Sequence, residues 1–256
     1  MDKNEIVDVL LNAEKMNTQL EFLEQINKFT EKECYDIQKE LVKQKKNQFN
    51  SSLAGYKISM TSPETQAIAN THEPAYGTFL DYNIQKEREF INLSELFEPL
   101  LEPELVFQLT EDLSDRADHS EIIQKSNIYL GAEIPDSRYN NWFPNFNLTD
   151  LICDNAFVGK LVLSEKSFPA TDVDFENIGL HLYRDGELIK KGTSIDVLGN
   201  PLNAVMWLNK KLISQGSRLT KGLLISSGTF TSPIELLTGQ FTIEFKGLGS
   251  MKVNSL

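Results

Sequence analysis

From residue 51 onward the chain is a succession of short β-prone runs cut by turn residues, and this punctuation restricts the fold more than any other feature. The runs GYKISM (55–60), PELVFQL (103–109), GKLVLS (159–164), GLHLYRDGELIKKG (179–192), GLLISSG (222–228) and FTIEFKGLGSMKV (241–253) read as strands or hairpins. Asp185-Gly186 separates LHLY from ELIK, and a two-residue hairpin turn needs residues that accept positive φ. Lys246-Gly247, with Gly249, marks another reversal. Two helices interrupt the strands. One is expected from about Ser120 to Leu130. The other starts with Asn200 as cap and Pro201 at the first helical position, and runs to a stop at Gly216, with Ala204, Leu208 and Leu212 on one face. Strands and helices that do not alternate regularly predict an α+β fold rather than a doubly wound parallel sheet.

The first fifty residues have a helical pattern instead. Ile6, Leu10 and Leu11 form one short apolar stripe, and Leu20, Leu23 and Ile26 another. Thr30 followed by Glu33 reads as a capping box, which satisfies two free amide donors at a helix start. The helix it opens carries Cys34, Ile37 and Leu41 on one face. Lys43, Lys45 and Lys46 lie near its end, where the helix dipole is negative. The expected organisation is a helical segment, 1–50, packed on a main domain, 51–256.

Charge and cysteine usage narrow the function. The 37 acidic and 25 basic residues give a formal net charge of -12, a surface that repels the phosphates of nucleic acids and anionic membranes. With 40% apolar residues the chain can bury a core without disulfides or structural zinc. Cys34 and Cys153 stand in no paired spacing, so they are expected to be small buried hydrophobes. His72, His119 and His181 share no ligand spacing. No run reaches the roughly 18 apolar residues of a membrane helix, and the N-terminus is acidic, which predicts a cytoplasmic protein.

The stretch Leu100-Leu101-Glu102-Pro103-Glu104-Leu105-Val106-Phe107 carries the chemistry. In a strand, residues two apart share a face, which puts Glu102 and Glu104 roughly 7 Å apart and lets both reach one ion. Taken alone, the pair fits a solvated strand face as well as a metal site. Glu133, after the apolar run Tyr129-Leu130-Gly131-Ala132, adds a third carboxylate. Three carboxylates without histidine or cysteine suit a hard ion such as Mg²⁺ or Mn²⁺.

These residues belong to a larger pattern. Gly55-Tyr56-Lys57-Ile58-Ser59-Met60-Thr61-Ser62 resembles the GxKxGxT strand of 2-oxopent-4-enoate hydratases and 4-oxalocrotonate decarboxylases, within the fumarylacetoacetase superfamily. Tyr76-Gly77, Glu102-Pro103-Glu104, Gly131-Ala132-Glu133, Ser137-Arg138, Asp154-Asn155-Ala156, the segment Leu198–Ala204 with Trp207, and Ser227-Gly228 are similar to further family segments, in order. The resemblance implies a rolled mixed β-sandwich with flanking helices. It also implies Mg²⁺ or Mn²⁺ on Glu102, Glu104 and Glu133, Lys57 as the acid/base group with a lowered pKa, and Ser227, Gly228, Asp154 and Arg138 around the substrate. The implied reaction is hydration of a small 2-hydroxy-2,4-dienoate through a metal-chelated enolate. Decarboxylation or C–C hydrolysis on the same platform, or an impaired binding subunit, are the alternatives. A homo-oligomer, able to join a related hydratase or decarboxylase, is implied as well.

Three positions depart from the pattern. Leu100 stands where arginine is frequent, Phe157 where a small residue is usual, and Ala75 where several relatives have aspartate. A missing arginine removes a planar double donor for carboxylates. The departures predict a shorter or less charged substrate than a dicarboxylate.

Overall fold

The structure is a computed structural model that describes residues 1–23 and 28–256. Its helices are α1 (Lys3–Met16), α2 (Glu31–Gln48), α3 (Pro63–Ile68), α4 (His119–Gln124), α5 (Leu148–Cys153) and α6 (Pro201–Ser214). The strands are β1 (Leu53–Ser59), β2 (Ala75–Leu80), β3 (Ile84–Lys86), β4 (Phe90–Ile91), β5 (Leu100–Leu109), β6 (Ser126–Ile134), β7 (Lys160–Pro169), β8 (Gly179–Arg184), β9 (Glu187–Thr193), β10 (Leu224–Ser226), β11 (Ile234–Glu235), β12 (Gly239–Phe245) and β13 (Gly249–Ser255). Among the described residues they form two mixed sheets. The larger runs β2-β1-β10-β5-β6-β7-β3 with β11 also on β5; the smaller runs β4-β13-β12-β8-β9. This is an α+β fold.

Local chemistry explains most element ends. Thr30 and Glu33 form the capping box of α2, and Asn200 caps α6 by accepting from the Leu202 amide at 2.9 Å. Asp185 and Gly186 take φ of 48° and 89°, the pair of positive values that reverses β8 into β9. Helices α1 and α2 do not stand apart: Ile6, Val7, Leu10, Cys34, Ile37 and Leu41 share one buried core with the sheets. Leu20 bridges to Tyr139 outside any helix, Leu23 is buried, and Ile26 lies outside the described residues.

One expected element is wrong. The helix placed at 120–130 stops at Gln124, and Ser126 opens β6. Six residues under the Asp118 cap are too few to persist alone, and pairing along β5 takes the rest of the segment into the sheet.

β5 organises the site. It lies inside the large sheet, yet it contains Pro103, which cannot donate to a ladder. The sheet opens at that point. β10 pairs with Val106–Gln108 and β11 with Leu100 and Leu101, leaving a gap at 102–104. The loop after β10 enters the gap, where the Phe230 amide donates to the Pro103 carbonyl at 3.0 Å.

Candidate metal centre

Strand register converts the sequence pattern into a cluster. β5 and β6 are antiparallel with Glu102 directly opposite Glu133 and Glu104 opposite Gly131. Directly opposed residues point to one face, and Glu104, two residues on, joins them. One carboxylate oxygen from each of Glu102, Glu104 and Glu133 lies within 4.8 Å of the others. Gly131, opposite Glu104, makes room for the Val106 side chain; a Cβ there would meet Val106 Cγ2 at 2.4 Å.

Lys57 comes from β1 and places Nζ 2.5 Å from Glu133 Oε1. Glu104 is held by Ser226 Oγ, which donates to its Oε2 at 2.6 Å, and by the Gly228 amide, which donates to the same oxygen at 2.8 Å. Gly228 has φ +111°, and a Cβ there would lie 2.5 Å from Thr61 Oγ1, so a side chain is excluded where the amide must reach the acid.

The electrostatics are unbalanced. Glu104 and Glu133 are fully buried, and with Glu102 they face a single ammonium. Burial, reinforced by Glu133 and Glu102, holds Glu104 well above the carboxylate range. Burial pushes Glu133 up to about 7, against the pull of Lys57, and raises Glu102 as well. For Lys57 burial acts downward, but Glu133, Glu102 and Glu104 together outweigh it and the pKa is raised. The lowered lysine pKa expected from sequence is therefore not found in the bare cluster: three carboxylates attract the proton, whereas the expectation counted a cation beside the amine.

The donor set fits a divalent ion. Glu104 Oε1 and Glu133 Oε2 are buried and accept no hydrogen bond from any amide, hydroxyl or amine. Buried anionic oxygens without partners are costly unless a cation meets them.

The cluster opens onto a cavity of about 400 Å³. Glu102 and Lys57 reach its wall. Ile68, Trp142, Phe143, Phe146, Leu151 and Phe157 form its apolar lining, and exposed Glu64 and Asp196 lie at its edge. Among the described residues that line it, Lys57 is the one cation. Of the three positions that depart from the family pattern, Phe157 alone is on this wall. Leu100 borders a separate surface groove, and Ala75 is buried opposite Ser59.

Several expected substrate contacts are placed elsewhere. Ser227 is fully buried and donates to the Leu105 carbonyl at 2.9 Å; the serine that reaches the acids is Ser226, one position earlier. Gly228 serves Glu104 rather than lining the cavity. Arg138 and Asp154 form a buried ion pair behind the wall, with Nε donating to Oδ1 at 2.7 Å. Arg138 borders a second, polar cavity of about 220 Å³. Cys34 and Cys153, distant in sequence, are buried free thiols. Ser226 and the cavity threonines Thr229 and Thr231 were not singled out from sequence; Pro103, where the sheet opens to admit the loop after β10, is the available signal, while Thr61 lies in the Gly55–Ser62 segment already noted.

Comparison with known proteins places this arrangement. The chain is 33% identical over 203 residues to the 2-keto-4-pentenoate hydratase of Paraburkholderia xenovorans (strain LB400), a match covering 78% of this chain and 75% of that protein. It is 27% identical over 222 residues to the 4-oxalocrotonate decarboxylase of Pseudomonas putida, covering 86% and 83%. The solved structure of the 4-oxalocrotonate decarboxylase from Pseudomonas putida G7, complexed with magnesium and adipate, superposes with a TM-score of 0.90 at 23% identity, covering 100% of this chain and 99% of that one. Fumarylpyruvate hydrolase from Pseudomonas aeruginosa, in complex with Mn²⁺ and pyruvate, superposes at TM-score 0.60 and 14% identity, covering 80% and 89%. No family model matches the chain. The fold is that of the fumarylacetoacetase-like proteins, and the chain belongs to the family of 2-keto-4-pentenoate hydratases and 4-oxalocrotonate decarboxylases. Family membership makes it an enzyme of the lyase class. Among the described residues, no helix is long and apolar enough to cross a membrane.

Proposed function

We propose that this protein is a divalent-metal-dependent hydratase of a small 2-hydroxy-2,4-dienoic acid. The observation that carries the reading is the convergence of Glu102, Glu104, Glu133 and Lys57 beside a cavity with no second cation among the described residues. In this reading the three carboxylates hold Mg²⁺ or Mn²⁺, which supplies a Lewis acid that draws electron density from a 2-oxo acid. Lys57 holds and moves the proton that the addition of water requires, from a position in contact with the cluster. The apolar wall carries the hydrocarbon end of the substrate and keeps bulk water from it. Exposed Glu64 and Asp196 at the cavity edge repel a distal carboxylate, which favours a monocarboxylate over a dicarboxylate. A cytoplasmic homo-oligomer, able to associate with a related hydratase or decarboxylase, completes the reading.

The assay follows the loss of the dienol ultraviolet absorbance with Mg²⁺ or Mn²⁺, comparing mono- and dicarboxylate dienoates. Metal-dependent turnover with monocarboxylate preference and without CO₂ supports the reading. CO₂ release with a dicarboxylate would replace hydration by decarboxylation.

The acid cluster also sets a pH dependence. A carboxyl whose pKa is raised by folding contributes full stability below its ordinary value of 4.5. That contribution is lost as the pH rises through about 7, where Glu133 ionises. An ion that neutralises the ionised cluster restores it. The melting shift produced by Mg²⁺ or Mn²⁺ is expected to be larger at about pH 8 than at about pH 5.5, read by scanning fluorimetry. Equal shifts at both values would detach the ion from these acids.

A further inference from the structure

The segment that follows the Arg138–Asp154 pair adopts an unusual backbone. Asn155, Ala156 and Phe157 have φ of 53°, 50° and 57°, three successive residues with side chains in the left-handed region. There each Cβ crowds a neighbouring carbonyl, so such a run persists only when its surroundings hold it.

Here they do. The Asn155 side chain accepts from the Thr78 amide at 2.8 Å and donates to the Thr78 carbonyl at 2.9 Å, pinning the turn to β2. Gly77 makes the approach possible, since a Cβ there would lie 2.3 Å from the Asn155 carbonyl oxygen. Arg138 spans the turn: Nη2 donates to the Asp154 carbonyl at 3.0 Å and Nη1 to the Val158 carbonyl at 3.5 Å. The Asp136 amide donates to the Phe157 carbonyl at 3.0 Å.

The reversed turn decides which side chains meet the substrate cavity. Asn155 and Val158 face the polar cavity, whereas Ala156 and Phe157 face the cavity that Lys57 and Glu102 share. The Phe157 ring is held edge-on by Phe146 at 5.2 Å and tilted against Trp142 at 4.9 Å. A ring braced by these two neighbours resists displacement by a longer substrate.

We propose that Phe157 is a specificity-determining residue, set on the cavity wall by the clamped left-handed turn to limit the length of an uncharged alkyl or alkenyl tail on a 2-oxo acid. The inference rests on the proposed function for the head of the substrate; the gauge for its tail is additional. Arg138 and Asp154 are positioning residues that act through the turn.

The test uses binding rather than turnover. The protein saturated with Mg²⁺ is titrated calorimetrically with straight-chain 2-oxo acids from pyruvate to 2-oxooctanoate, alongside F157L and F157M, whose unbranched flexible side chain can yield where the ring cannot. Wild type should reach a chain length beyond which affinity falls. The variants should move that limit to longer tails, gaining about fourfold per extra methylene accommodated, while pyruvate and Mg²⁺ bind as before. The conservative variant R138K, which loses the forked contact with both carbonyls, should blur the limit, flattening the dependence of affinity on chain length while Mg²⁺ binds as before. Intact pyruvate binding with the same length profile in wild type, F157L and F157M would overturn the gauge and leave the proposed function standing. Failure of every 2-oxo acid to bind the wild-type protein would overturn both.

Discussion

Glu104→Gln is expected to weaken divalent-ion binding by at least ~100-fold and, unusually for a buried polar site, to raise the melting temperature of the metal-free protein. The first effect follows from removing one of three carboxylates within 4.8 Å, since outer-shell changes alone cost metal sites 10–100-fold. The second follows from charge. Glu104 Oε2 already accepts from Ser226 Oγ and the Gly228 amide, so an amide side chain keeps that anchor through its carbonyl oxygen. Its nitrogen then occupies the place of Oε1, which has no donor, and can donate toward Glu133. At a pH high enough to ionise the acid cluster, whose pKa burial raises, a buried negative charge is replaced by a matching donor at constant volume, and the melt is run there. A gain of about 2 kcal/mol, less than the cost of an unpaired buried charge, corresponds to roughly 4–8 °C in a chain of this size. Calorimetric titration and a melt in chelator measure the two effects. A lower melting temperature in chelator, with metal binding intact, would show that the three acids are not a repulsive cluster waiting for a cation.

Lys57→Met is expected to lower kcat by about 10³ while divalent-ion affinity is kept or tightened. The two readouts move in opposite directions because the ammonium has two relations to the cluster. It is the cation nearest the proposed ion, so removing it relieves competition for Glu133. It is also, among the described residues, the one amine on the cavity wall that can exchange a proton with a bound acid. Without metal the variant leaves the buried Glu133 without its ion-pair partner and should lose about 3–5 kcal/mol of stability, the scale for breaking a buried pair; saturating Mg²⁺ should return most of it. In the bare protein the acids hold Lys57 above the usual lysine pKa. A bound dication reverses that field, so on the proposed function proton transfer by Lys57 would be tied to occupancy of the site. Unchanged kcat in the variant would reduce Lys57 to a charge-balancing role.

Much of the architecture is written locally. Asp185-Gly186, the Thr30 capping box and the Asn200-Pro201 start each act within a few residues, and a reader of the sequence can place them without knowing what lies across the core. The same holds for Glu102 and Glu104, because the two-residue strand period alone puts them on one face. The segment 120–130 fails as a helix for the opposite reason. Its residues tolerate either structure, and pairing with β5 decides.

The site required the third dimension. Which residue faces Glu102 across the sheet is a matter of register, and a slip of one residue would have turned Glu133 to the other side. The same parity separates Ser226, which holds Glu104, from Ser227, which does not. Arg138 and Asp154 carry the charges suited to a substrate, but the backbone turn they enclose directs them to each other. Sequence by itself determined which chemistry the chain carries and where its strands turn, because those depend on neighbours in the chain. Tertiary structure alone decided which side chains meet, because strand pairing joins residues whose separation in sequence sets no distance between them.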